Sequence, residues 1–205
     1  MSVKKVLFIR HGQTDFNRER RLQGALPVPL NRCGRQQAQS LAQALKAVPL
    51  DAIYASPRSR ALETARIIAA ALGQTAHEDE RLAEIAFGDF EGYTFAEVEA
   101  RYPEAYRKWE SGYRPYRVPG GESRLDVQRR MEAAWHDIVG AAALDTVAIV
   151  GHSSAMMILL ASMFAHLPAK PMTNCSVTTL ERFQDVWEIS AFAETPRKEN
   201  KRARR

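Results

Sequence analysis

Val6-Leu7-Phe8-Ile9-Arg10-His11-Gly12 is an apolar run that stops at an arginine–histidine pair, after which a glycine turns the chain. The same grammar returns at Val147-Ala148-Ile149-Val150-Gly151-His152-Ser153. Continuous Val/Ile/Leu-rich runs mark strands buried on both faces, as in parallel sheets. In open α/β sheets, ligands bind outside the carboxyl ends of such strands. Two histidines and an arginine at two such ends predict an anion site with a nucleophile in it.

The flanking sequence supplies the helices that such a sheet needs. Strand 4–9 is followed by a polar loop over 13–33. Ala38, Leu41, Ala42, Leu45 and Val48 fall at helical spacing over 34–48, and Pro49 ends that helix. A short strand over 51–55 precedes Ser56-Pro57, which reads as an N-cap with proline at the first helical position. That helix runs to about Leu72, before Gly73. Residues 74–123 are rich in Glu, Tyr, Arg and Gly and read as an inserted lid, helical near 94–110, with a turn at Pro119-Gly120-Gly121. Ser123 is set to cap a helix over 124–140, with Val127, Met131, Ala134, Trp135 and Ile138 on one face. Strand 146–150 leads into helix 153–166, apolar almost all round and therefore expected to be buried. Segments 176–182 and 186–193 alternate around Gln184-Asp185, as in an edge hairpin. This order predicts an α/β fold, three layers α/β/α around a mostly parallel sheet, as one domain over 1–196.

The bulk numbers exclude several classes. A chain of 205 residues with 45% hydrophobic and 26% charged content is an ordinary globular domain. The longest apolar stretch, 155–165, is too short for the roughly 20 residues that a bilayer needs. Lys4-Lys5 precede only four apolar residues, so no secretory signal is read there. Cys33 and Cys175 are distant in sequence and form no metal or redox motif, which suggests reduced thiols and a cytoplasmic protein. The net charge of +5 resides in the tail 197–205, with six basic residues and one glutamate; the remainder balances 23 basic against 23 acidic residues. Such an end reads as solvated and disordered. It carries no aromatic residue for base stacking, so nucleic acid is not the expected partner.

The chemistry-bearing residues then stand out by position. Arg10 can fork onto a phosphate, a neutral ring nitrogen of His11 can attack phosphorus, and Gly12 permits close backbone approach. Arg58 and Arg60 open a helix, where basic side chains have the wrong sign for the dipole, so an anion is expected there. They cannot share a face, so one should turn to the site and one to solvent. His152 ends its strand with Ser153 or Ser154 available to cap the next helix. Gly-x-Ser-x-Gly is absent, which disfavours a serine nucleophile. Glu84, amid apolar residues and glycines and facing a phosphate dianion, would have its pKa raised and could act as a general acid. His77 (in a loop), His136 and His166 carry no such context.

Taken together, Arg10-His11-Gly12, the Ser-x-x-x-Arg-Ala-x-x-Thr-Ala pattern over 56–65, Glu84-Ile-x-Phe-Gly-x-Phe-Glu-Gly92 and Gly151-His152-Ser153 resemble the histidine phosphatase superfamily, in its phosphoglycerate mutase-like branch. The resemblance spans nearly the whole chain except the tail. It implies that His11 is the nucleophile, that Arg10, Arg60 and a protonated His152 surround the phosphoryl group, and that Glu84 is the acid and base. It also implies substrate contacts from Asn17, Gln23 and Gly24, with Ser153 beside them, and no metal or other cofactor. Mutases of this family follow the acid with Arg-His-Tyr-Gly or a close variant. Here Ile85-Ala86-Phe87-Gly88 offers no cation, so the segment resembles broad-specificity and α-ribazole phosphatases more. The expected activity is metal-independent hydrolysis of a small phosphorylated metabolite, with a phosphoglycerate mutase as the alternative. A metal-dependent hydrolase is remote, since Arg10 repels a cation and no ligand spacing is present. A polyanion-binding protein is equally remote. Tyr93, Tyr102, Tyr113 and Tyr116 are candidates to line the substrate's path, and the oligomeric state stays open.

Overall fold

A computed structural model describes residues 3–195; the basic tail lies outside the described residues. Six strands form one sheet: β1 (Lys5–Arg10), β2 (Ala52–Ala55), β3 (Ala76–Glu78), β4 (Thr146–Gly151), β5 (Val177–Phe183) and β6 (Val186–Glu194), in the order β3-β2-β4-β1-β5-β6. The first four in that order run parallel, while β5 and β6 are antiparallel. Every residue of β4 is buried, because helices cover both faces.

Alternation assigns the side chains to the two outer layers. Leu7, Ile9, Ala148 and Val150 pack with α2 (Arg32–Leu45) and α3 (Ser59–Leu72). Val6, Phe8, Val147 and Ile149 pack with α6 (Arg124–Gly140) and α7 (Ser153–Met163). The three-layer expectation holds, as does Ser123 as cap of α6: its Oγ accepts from the Asp126 N–H at 3.1 Å.

Several boundaries differ from the sequence reading, each for a local reason. The loop over 13–33 contains α1 (Asp15–Glu19), closed by a Thr14/Asn17 capping box. Helix α2 starts early because the Asn31 side chain accepts from the Gly34 N–H, and it ends at Leu45. Helix α3 starts at Ser59, not Pro57, because the Ser56 hydroxyl is engaged by His152 and the Arg58 N–H. The helical stretches expected near 94–110 are α4 (Phe95–Arg101) and α5 (Pro103–Glu110), separated at Pro103. His77 lies in β3, a three-residue edge strand with no apolar run to betray it. Helix α7 ends at Met163 and is not buried all round: Met157, Ile158 and Ala161 border a cavity. Cys33 and Cys175, though distant in sequence, are free thiols on one cavity wall.

Gly12 is needed for packing. A Cβ there would lie 2.5 Å from the Gly34 carbonyl oxygen, so its smallness seats the start of α2 beneath the β1 exit.

Candidate active site

Strands β1 and β4 are neighbours with Arg10 opposite Gly151, and the His11 N–H donates to the Gly151 carbonyl at 3.0 Å. This register brings the two histidines together, with ring centroids 5.2 Å apart and both residues buried. His11 Nδ1 lies 2.7 Å from the Gly12 carbonyl oxygen. A carbonyl only accepts, so Nδ1 carries the proton and Nε2 keeps its lone pair. Burial, then the charges of Arg60 and Arg10, hold the His11 pKa well below the ordinary imidazole value. The ring is therefore neutral at physiological pH.

His152 uses the opposite nitrogen as its anchor. Its Nε2 is 2.8 Å from Ser56 Oγ, and Nδ1 is enclosed with no protein partner. Burial, followed by Arg60, His11 and Arg10, also pushes its pKa well down. The expected protonated His152 is thus not the state of the ligand-free protein, whose positive charge at the site comes from the arginines.

Arg10 donates from Nη1 to the Met172 carbonyl at 2.5 Å. Arg60 donates to the Leu26 and Gly24 carbonyls at 3.1 and 2.9 Å. Among the described residues neither has a carboxylate in salt-bridge range, and the Nε of each is buried without a partner. Burial lowers the Arg60 pKa to about 10, which still leaves it charged at neutral pH. Carbonyl oxygens fix these guanidinium groups without neutralising them, so they stay available to an anion. Gly24 sits at φ 47°, and a Cβ there would collide with Glu91 Oε1, so this carbonyl-presenting turn requires glycine. Arg58 is not turned fully to solvent. It is half-buried, its Nε is enclosed, and its charge reaches Arg60 and His152.

Glu84 occupies the start of α7. Its Oε1 accepts from the Ile85 and Ala155 N–H groups at 3.0 and 2.9 Å, and Oε2 lies 3.4 Å from the Ser154 nitrogen. Neither Ser153 nor Ser154 caps the helix; a carboxylate some 70 residues away in sequence does. A carboxylate suits the positive end of a helix, and the arrangement aims Glu84 at the same cavity as His11. That cavity, about 160 Å³, is bordered by Arg10, His11, Asn17, Gln23, Gly24, Arg60, Glu84 and Ser153, with Phe87, Phe95 and Trp109 as its aromatic wall. His152 lies behind His11 rather than in the wall. None of the four tyrosines lines it: Tyr93, Tyr102 and Tyr116 pack into the core and Tyr113 is exposed.

Sequence reasoning missed the residues that hold these groups. Arg130 donates to the Ala83 and Glu84 carbonyls at 2.7 and 3.2 Å and pairs with Glu122 through Nε and Nη2; Glu122 Oε2 also accepts from the Ala86 N–H. This clamp brackets Glu84. Glu91 ties the Gly24 turn to it, accepting from the Ala25 and Phe87 N–H groups. Asn174 bridges the His11 carbonyl and Asn17 Oδ1. Glu91 falls within the Glu84–Gly92 motif, whereas Arg130, Glu122 and Asn174 read as ordinary polar side chains, since their roles depend on partners distant in sequence. Among the described residues no group of three His, Cys, Asp or Glu side chains could hold a metal ion.

The cavity thus gathers a neutral imidazole, two guanidiniums without carboxylate partners among the described residues, and a carboxyl group. The profile of the histidine phosphatase superfamily (branch 1) matches residues 6–195. The chain belongs to the histidine phosphatase superfamily. This histidine phosphatase is 38% identical to a glucosyl-3-phosphoglycerate phosphatase of Mycolicibacterium vanbaalenii, over 86% of this chain and 80% of that one. It is 34% identical to phosphoserine phosphatase 1 of Hydrogenobacter thermophilus, over 74% and 72% respectively. The solved structure of Bacillus stearothermophilus YhfR superposes with a TM-score of 0.85 at 34% identity, covering 94% of this chain and 98% of the other. Among the described residues no helix is long and apolar enough to cross a membrane.

Proposed function

We propose that this histidine phosphatase hydrolyses a small phosphomonoester through a phosphohistidine on His11. The observation that carries the reading is the Nδ1–Gly12 hydrogen bond, which commits the His11 proton and leaves Nε2 free to attack. The phosphoryl group sits between Arg10 and Arg60, with the His152 Nδ1 edge behind it. Nε2 donates its lone pair to phosphorus as the P–O bond to the leaving group breaks, and Glu84 hands a proton to the departing oxygen. Water then enters, Glu84 takes its proton, and the hydroxide oxygen displaces Nε2 from phosphorus, releasing phosphate and restoring His11. Phosphoryl transfer through a loose transition state needs chiefly positioning and charge stabilisation, which two fixed guanidiniums supply. Asn17, Gln23, Gly24 and Ser153 contact the substrate from the cavity rim. No step calls for a metal. Free thiols fit a cytoplasmic enzyme.

Two named relatives are phosphatases of small phosphorylated metabolites, and the uncharged Ile85-Ala86-Phe87 after the acid favours hydrolysis over mutase activity. Hydrolysis of p-nitrophenyl phosphate in excess EDTA tests the reading. Turnover that resists the chelator and disappears in His11→Ala is expected; activity lost to EDTA or kept in His11→Ala overturns it.

A further inference from the structure

Beside the catalytic cavity lies a second, larger one of about 490 Å³, bordered by Ile85, Phe87, Trp109, Met157, Ile158 and Ala161, with Arg114 and Arg124 at its polar side. The two cavities share Phe87, Trp109 and Ser154 in their walls and so adjoin each other. It is built from the α7 face left uncovered by the core and from the end of α5.

Three observations point to what it takes. Its aliphatic and aromatic wall would gain by covering an apolar group. The Trp109 indole N–H, in the wall between the cavities, is buried with no acceptor. Buried donors in native proteins are nearly always paired, so this one lacks a partner that a ligand oxygen could be. The third is charge. Arg124 stacks over the Trp109 ring with its guanidinium carbon 5.3 Å from the centroid, and donates to the Trp109 carbonyl at 3.2 Å. The Arg114 guanidinium donates to the Gln128 side-chain oxygen. Among the described residues neither arginine pairs with a carboxylate, unlike Arg21, Arg81, Arg117 and Arg130 around them. Partial burial and then the Arg114 charge depress the Arg124 pKa.

We infer that the substrate of this phosphatase carries an apolar body on its leaving group and an anion, a carboxylate in the simplest case, at the far end of that body. The phosphoryl group occupies the His11 cavity, the body lies against Trp109 and Met157, and the distal anion meets Arg114 and Arg124. The inference rests on the phosphatase reading but goes beyond it. A leaving group as short as glycerate or serine holds its carboxylate too near the phosphate to leave room for such a body.

The test compares kcat/KM for three aryl phosphates: phenyl phosphate, 4-(2-carboxyethyl)phenyl phosphate and its carboxamide, 4-(2-carbamoylethyl)phenyl phosphate. The last two share body and leaving phenol and differ in the terminal charge. A charge-assisted contact predicts preference for the carboxylate by about tenfold or more, shrinking as salt screens it. In Arg114→Gln/Arg124→Gln the carboxylate-to-carboxamide ratio falls to about one, while Arg124→Lys retains part of it. The ratio is an internal control, since misfolding lowers both substrates together. Equal rates for carboxylate and carboxamide in the wild type, with phenyl phosphate still turned over, overturn the inference and leave the phosphatase reading intact. A preference that survives the double substitution also overturns it. Failure to hydrolyse any of the three overturns the phosphatase reading, and the inference with it.

Discussion

The molecule treats its arginines in two ways. Arg10, half-buried at the end of β1, and Arg60, buried at the start of α3, are tied to backbone carbonyls and, among the described residues, left without carboxylate partners. Around the lid, Arg21, Arg81 and Arg130 are neutralised by Glu97, by Asp79 and Asp137, and by Glu122. The same side chain serves as a fixed charge for an anion in the first region and as a structural tie in the second. What differs is the acceptor: a carbonyl orients a guanidinium and leaves its charge available, whereas a carboxylate cancels it. Arg124 follows the first pattern, donating to the Trp109 carbonyl, and Arg114 near it bonds the Gln128 amide oxygen rather than a carboxylate, which is why the pair draws the inference above.

The largest expected break in this comparison comes at its centre. His11→Ala removes the attacking nitrogen, and kcat should fall by at least about 10⁴-fold with the fold retained by circular dichroism. Next comes Arg60→Met, which removes the fixed charge and leaves the Gly24 and Leu26 carbonyls without their donor. A loss of on the order of 10²–10³ in kcat and a lowered Tm are expected together; full activity would show that Arg60 is merely structural.

Glu84→Gln separates acid catalysis from binding. With an alkyl phosphate the rate should drop by about 10²-fold or more. With p-nitrophenyl phosphate, whose leaving group needs little protonation, the first step should be far less affected. Arg130→Met sharpens the comparison from the structural side. It should give a smaller, roughly tenfold loss with the same bias against poor leaving groups, because the clamp acts through Glu84. A uniform loss across leaving groups would mean that Arg130 supports stability only.

The smallest effect is on pH-dependent stability. His11 and His152 have folded-state pKa values depressed by burial and nearby arginines, while in the unfolded chain each titrates near 6.5. Below about pH 6.5 the unfolded chain therefore binds protons that the folded one refuses, and stability falls as pH drops from there toward the depressed values. Each histidine contributes up to about 1.4 kcal/mol per pH unit in that window. Thermal melts from pH 8 to 5 should show the fall, with a shallower slope in His11→Asn.

Much of this was legible in the chain. The four-residue apolar runs Val6–Ile9 and Val147–Val150 marked the parallel core, since a continuous apolar run fits a strand covered on both faces. The candidate site was read from the resemblance carried by the motifs at His11, Arg60, Glu84 and His152, and the fold brings these residues together. What was hidden depends on long-range partners. The cap of α7 comes from Glu84, not from its adjacent serines. β3 is defined by pairing with β2 rather than by its own side chains. The aromatic wall is Phe87, Phe95 and Trp109, not the tyrosines, because packing decides which face of α5 meets the cavity. His152 was expected as a cation, but burial followed by the neighbouring charges, Arg60 first, lowers its pKa.

The central claim is that His11 Nε2 attacks phosphorus. Its most direct test is the stereochemical course of transfer from a phosphomonoester made chiral at phosphorus with oxygen isotopes, run with an alcohol acceptor. Two displacements through phosphohistidine predict net retention of configuration. Net inversion would show a single direct attack by the acceptor and contradict the account.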